Sequence, residues 1–205
     1  MSTTAQPVSM PPLPPAMPAP ARFTLDHYEH LVACGAFESG YEKRVELLWG
    51  TLTEMAPIGP PHADNVDGLM TWSVAATANK PIRVRIQQPI RLPSSESEPE
   101  PGISWVKEQS YAARHPNPDE VLLVIEVADT SLETDRGPKL AAYAEAGIAE
   151  YWIVNRQDRV VEVCRSPSGR SYDERRVVKP GEPLAPLAAP DAGFEVATLF
   201  AAADA

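Results

Sequence analysis

An α/β (α+β) domain, with a mixed central sheet flanked by helices and additional hairpins, is what this sequence predicts, and three patterns predict it. The run VLLVIEV, residues 121–127, is apolar almost throughout, as strands covered on both faces are. Three stretches, within 24–35, 62–79 and 135–146, repeat apolar residues at helical spacing. Between and after them lie short alternating runs separated by turn residues, the pattern of strands and hairpins.

The chain begins differently. Residues 1–21 hold seven prolines and almost no charge, a composition that favours extended polyproline conformations over packing. A disordered proline-rich tail over 1–21 and one folded domain over 22–205 follow from this, because 205 residues at 43% hydrophobic content suffice for one core.

From Phe23 onward each element has a local reason. Thr24 caps a helix whose inner face is Leu25, Tyr28, Leu31 and Val32, and Gly35 ends it. Residues 44–49 and 52–55 read as a hairpin about Gly50-Thr51. A second helix over 62–79 carries Val66, Leu69, Met70 and Val74 on one face. Ile82, Val84 and Ile86 alternate with Arg83 and Arg85, and Ile90 and Leu92 continue the pattern to predict one long strand with a kink or bulge. A short strand follows over 103–106, then the central strand. The next helix, from about Asp135 to Ala146, turns Leu140, Tyr143 and Ala144 inward and stops at Gly147; Pro138 sits in its first turn, where proline is tolerated. Residues 151–154 and 159–164 form a second hairpin, and 172–178 a further strand.

Composition excludes several functions. Asp and Glu number 28 against 18 Lys and Arg, a net charge of -10, so any DNA contact is local and cation-assisted rather than spread over a basic surface. Arg83, Arg85 and Arg91 could face a phosphate backbone, although solvated arginines on an exposed strand face account for them more simply. Cys34 and Cys164 are far apart in apolar surroundings, which suits two core thiols in a reducing compartment. No apolar run approaches the roughly 20 residues of a membrane span. A cytoplasmic location follows.

Glu126 carries the most chemical information. An ionised carboxylate inside an apolar strand costs several kcal/mol without a partner, so it requires a cation. An arginine elsewhere would serve. Lys139 serves as well, because a helix following a central strand through a short loop starts near the strand's C-terminal end. A carboxylate, a lysine and a divalent ion together are what phosphodiester hydrolysis uses: the ion polarises the phosphate, and the lysine stabilises developing negative charge. Asp135, at the expected helix start, reads as an N-cap.

The ordered segments RVELLWGTLTEM, PPH, RIQQPIRL, SEPEPGISWV, VLLVIEVADTS and DRGPKLAAYAEAGIAEYWIVN resemble a large bacterial family of restriction-endonuclease-like proteins, formerly a domain of unknown function, within the PD-(D/E)XK nuclease superfamily. The resemblance spans roughly residues 23–200. It implies a restriction-endonuclease-like fold and a metal site built from an Asp after a proline, a Glu on the next core strand and a nearby Lys. On this chain the resemblance makes Glu126 the Glu, with the backbone carbonyl of Val127 as a further ligand. It places the lysine at Lys139, since the superfamily's usual position holds Ala128. It also assigns Glu46 to a recurrent acidic position, Gln88 to a recurrent glutamine, and His62 to a family histidine that could equally be a capping or packing residue.

One departure matters. Where family members read E-P-D, this chain reads Glu100-Pro101-Gly102, and a glycine has no side chain with which to ligate. Three accounts stand: Glu100 swings in as the replacement metal ligand, the chain is a natural member that has lost catalysis, or it is an engineered inactive variant. The acids before Gly102 are either remnants of a cation site or an edge-protecting charge run.

Two functions follow from the resemblance. One is a Mg²⁺- or Mn²⁺-dependent endonuclease hydrolysing DNA, weakened or inactive because of Gly102, with Glu126, Lys139, Glu46 and Gln88 as catalytic groups and Glu126, Val127 and Glu100 about the metal. The other is a non-catalytic nuclease-fold module binding nucleic acid or a protein partner. A homodimer is expected by analogy with enzymes that pair two sites to cut two strands.

Overall fold

The computed structural model describes residues 21–37 and 44–200; apart from Ala21, the predicted tail lies outside the described residues. Six strands form one mixed sheet in the order β3-β4-β5-β6-β7-β8, comprising β3 (Ile82–Ile86), β4 (Ile103–Lys107), β5 (Val121–Ala128), β6 (Glu150–Asn155), β7 (Val160–Ser168) and β8 (Ser171–Val178). Every neighbouring pair is antiparallel except β5 and β6. The parallel pair needs a crossover, and the chain from 129 to 149 supplies it.

Burial on both faces explains the VLLVIEV run. Leu123, Ile125 and Val127 belong to the core layer that packs under α2 (Pro60–Thr77). Val124 and Ala128 belong to the opposite layer, with Leu140, Tyr143 and Ala144 of α4 (Leu140–Glu145). Glu126 shares that second face, because side chains alternate along a strand.

The first helix, α1 (Leu25–Ala33), is capped by Thr24 Oγ1, which accepts the His27 N–H at 3.2 Å. Leu25 and Tyr28 are buried, whereas Val32, expected on the same face, is exposed. The hairpin of β1 (Val45–Leu48) and β2 (Thr51–Glu54) turns at Trp49 and Gly50, one residue before the expected pair. Both have positive φ (54° and 71°), the type I′ geometry that matches strand twist. In α2, Val66 and Leu69 are buried, but Val74 points to solvent.

Four expectations are corrected. The long strand predicted over 82–92 ends at Ile86: Gln87 takes φ 48° and Pro89 has no N–H to donate, so Ile90 and Leu92 reach the core from a loop. The third helix starts at Leu132, so Pro138 is not in its first turn. The segment runs as α3 (Leu132–Thr134), a π-helical turn (Asp135–Lys139) and α4, with Pro138 inside the π turn; a wider turn at that point accommodates the proline's missing donor. Asp135 is therefore no N-cap: it has helical dihedrals and is buried. Cys34 is exposed at the end of α1, while Cys164 is buried and both are free thiols.

After β8 a small ribbon of β9 (Pro183–Leu184) and β10 (Phe194–Glu195) closes the chain over the α2 side. Among the described residues no helix is long and apolar enough to cross a membrane.

Candidate active site

Glu126 lies two residues before the end of β5 and faces the crossover. Its Oε1 accepts from Lys139 Nζ at 3.0 Å and from the Tyr143 hydroxyl at 2.8 Å. Lys139 and Tyr143 are four residues apart across the junction of the π turn and α4, so one helix face delivers both donors. Glu126 Oε2 accepts the backbone N–H of Gly102 at 3.2 Å, because β4 runs antiparallel to β5 and Ile103 is opposite Ile125.

The β1–β2 hairpin brings the second acid. Glu46 Oε2 lies 3.1 Å from Lys139 Nζ, and the same oxygen accepts the Glu100 N–H at 3.1 Å. All three side chains of this ion-paired group are under 10% exposed. They form the floor of a cavity of about 390 Å³, whose walls include Arg44, His62, Gln87, Val127 and Asp129 and whose lip is residues 55–59. Glu100 is at the rim, ion-paired with Arg44.

Charge in this cavity is unbalanced. Lys139 is surrounded by Glu126, Glu46 and Asp135, which overcome the opposing effect of burial and raise its pKa well above that of a free lysine. One ammonium cannot neutralise three carboxylates, and the two carboxyls beside Glu126 hold their protons more tightly than free acids do. Burial, reinforced by Glu126, raises the Glu46 carboxyl against the pull of Lys139. Burial and then Glu126 push Asp135 up to about 7, while the Ser131 hydroxyl donates to it at 2.7 Å. His62, half-buried in the first turn of α2, is lowered, chiefly by desolvation.

The predicted site residues divide clearly. Glu126, Lys139, Glu46, Val127 and Glu100 meet at this cavity, as does His62. Gln88 does not: it is exposed, and the left-handed turn at Gln87 hands the cavity wall to that neighbour instead. Tyr143 and Asp135 are the residues sequence reasoning missed as site members. A readable signal existed, since Asp135, Lys139 and Tyr143 recur at intervals of four. Arg83, Arg85 and Arg91 do not line the cavity; Arg83 pairs with Glu108, Arg85 lies over the Tyr111 ring, and Arg91 pairs with Glu29. A larger open groove of about 1300 Å³, between the β7–β8 hairpin and the C-terminal ribbon, contains none of the predicted residues.

A divalent ion needs several free oxygen donors. Here both oxygens of Glu126 already accept from protein donors, and Gly102 directs an N–H, not a carboxylate, at the same group. Among the described residues no three Asp, Glu, His or Cys side chains are grouped to hold a metal. The donor set does not fit the metal centre that the resemblance implies.

Residues 25–199 match the family model described as "Uma2: Putative restriction endonuclease". The crystal structure of a putative nuclease belonging to DUF820 from Anabaena variabilis aligns with a TM-score of 0.66, covering 87% of this chain and 98% of that one at 15% identity, a likeness of fold. No curated protein matches the chain.

Proposed function

The chain belongs to the Uma2 family, described as putative restriction endonucleases, and from that premise we propose that it is a nuclease-fold protein whose cavity engages the DNA phosphodiester backbone. Hydrolysis as the chain stands is weak or absent because Gly102 occupies the position of the family's strand-entering acid. The observation that carries this reading is the buried group Glu126–Lys139–Glu46 at the ends of β4 and β5. Lys139 is the cation a phosphate oxygen would meet, and the two glutamates fix its place. Gln87, rather than Gln88, is the supporting glutamine. Mg²⁺ or Mn²⁺ enters this reading only once an acid stands at position 102.

Electrostatics favour weak engagement. Six carboxylates line the cavity (Glu46, Glu54, Glu100, Glu126, Asp129 and Asp135) against the permanent cations Arg44 and Lys139, and like charge repels a polyanion. The test is cleavage of labelled single- and double-stranded DNA in Mg²⁺ or Mn²⁺ by the native protein, Gly102→Asp and Gly102→Ala. Cleavage gained by Gly102→Asp alone is the expected result. Equal, strong cleavage by all three would mean position 102 is dispensable, and absence of both binding and cleavage in all three would remove DNA from the reading.

The non-catalytic alternative draws on a specific observation, the engagement of both Glu126 oxygens by protein donors, two on Oε1 and one on Oε2. It is met if native protein binds DNA in the presence of EDTA and Gly102→Asp gains no cleavage. A homodimer and a cytoplasmic setting belong to the same proposal, the former to be checked by sedimentation.

A further inference from the structure

We infer that Lys139 takes the place of the divalent ion at Glu126, so that the native protein carries its own cation there and takes up no Mg²⁺ or Mn²⁺ through this carboxylate. The disagreement between the family's expected metal and the donors present leads to this assignment. It concerns the cation of the site and stands whether or not DNA binds.

The geometry has three parts. Lys139 Nζ sits at hydrogen-bond distance from one oxygen each of Glu126 and Glu46, 3.0 and 3.1 Å, so a single positive charge bridges two acids from two different strands, β5 and β1. It is the last residue of the π turn that runs into α4, and it is almost fully buried. Tyr143 shares Glu126 Oε1, and the Gly102 N–H takes Oε2. Oε1 has both lone pairs engaged and Oε2 keeps one, so an incoming ion would have to displace a donor or hold to that single lone pair, and would also lose its own water, a step that Mg²⁺ in particular resists. With a second carboxylate missing at position 102, little compensates for that loss.

The ammonium and the missing acid act on different oxygens. Lys139 closes Oε1, whereas position 102 faces Oε2. The effect of Lys139 can therefore be measured apart from that of Gly102. Once the ammonium is removed, Glu126 Oε1 and Glu46 Oε2 face the vacated position without a counter-ion, and a cation is the group that position then attracts.

The experiment is calorimetric titration of the full chain with MnCl₂, without DNA, on the native protein, Glu126→Gln and Lys139→Met. Native protein and Glu126→Gln should give superimposable titrations, whatever weak surface uptake they share, and the melting temperature of the native protein should be the same in EDTA and in Mn²⁺. Lys139→Met should take up one Mn²⁺ per chain and melt higher with it than without. Adding Glu126→Gln to Lys139→Met should weaken that uptake by at least roughly 10–100 fold, the range seen when a group that merely orients a metal ligand is lost. Native uptake that disappears in Glu126→Gln would overturn the inference, and so would a folded Lys139→Met protein that takes up no Mn²⁺. If either variant fails to fold, the native melt decides: a Mn²⁺-dependent rise overturns the assignment and an unchanged melt supports it.

Discussion

The indole N–H of Trp49 donates to the carbonyl oxygen of Pro138 at 2.9 Å, across 89 residues of sequence. This bond ties the turn of the β1–β2 hairpin to the π turn immediately before Lys139. The same hairpin carries Glu46, so one element supplies both an anchor for the lysine's backbone and a partner for its side chain. Trp49→Phe keeps one six-membered aromatic ring and removes the donor together with the rest of the indole. It should cost about 1 kcal/mol, read as a lower urea midpoint with an unchanged m-value.

Breaking the buried ion pair from either side should cost more. Removing one partner of a buried pair leaves the other charge uncompensated, at about 3–5 kcal/mol. We expect Lys139→Met and Glu126→Gln each to fall in that range in urea unfolding at pH 7. The double variant should cost clearly less than the sum, because the two changes remove one interaction. Glu46→Gln should be milder than Glu126→Gln, since the Glu46 carboxyl is already shifted toward its neutral form.

Packing and chemistry at position 102 can be told apart. A Cβ built on Gly102 would lie 3.2 Å from the Ile125 carbonyl oxygen and 3.8 Å from Val127 Cγ2, close enough to require a small local shift. Gly102→Ala should therefore destabilise by about 1 kcal/mol, and Gly102→Asp by more in the absence of a divalent ion, because it also buries a carboxylate facing Glu126. A Gly102→Ala protein as stable as the native one would show that the β4–β5 pair yields freely at this point.

Glu98 gives a pH dependence with a definite sign. Burial, and then the neighbouring Glu29, push its carboxyl from 4.5 up to about 8; Arg91 opposes this, and His115 stands 3.9 Å away. A carboxyl whose folded-state pKa is raised binds its proton more tightly when folded. Its stabilisation is complete below pH 4.5 and is lost as pH rises through about 8. Asp135, raised from 3.8 to about 7, acts in the same direction over a lower window. Native stability should fall between pH 5 and pH 8, and Glu98→Gln should remove roughly 2–4 kcal/mol of that fall. A Glu98→Gln stability profile parallel to the native one would sink this account.

Much of the fold was legible because its causes are local. The apolar run of β5, the capped α1, the hairpins and the inward face of α4 each follow from neighbouring residues. Glu126 was legible as a residue in need of a buried cation for the same reason: a carboxylate in an apolar strand demands one wherever the chain folds. The misreadings share a different cause. Gln87 adopts a left-handed conformation that its residue type does not announce, so the strand was drawn too long; Gln88 came from the family resemblance, and the same turn puts Gln87 on the cavity wall instead. Pro138 was assigned to a first turn because a π turn has no sequence signature of its own. Val32 was placed in the core because helical spacing defines a face without fixing how far along it the neighbours extend, and Cys34 because its sequence neighbours are apolar, which does not say whether anything packs over them.

The sequence by itself determined the strand and helix order, the need for a buried counter-ion and the lack of an acid at position 102, since each depends on residue chemistry or near neighbours. Only the tertiary structure decided that Lys139 answers Glu126 and Glu46 together, that Tyr143 and the Gly102 N–H complete the ring of donors, and that Asp135 is buried beside them. Those relations join residues from 4 positions apart, Asp135 and Lys139, to 93 apart, Glu46 and Lys139, and their energies exist only after the hairpin, the sheet and the crossover have excluded water from the space they share.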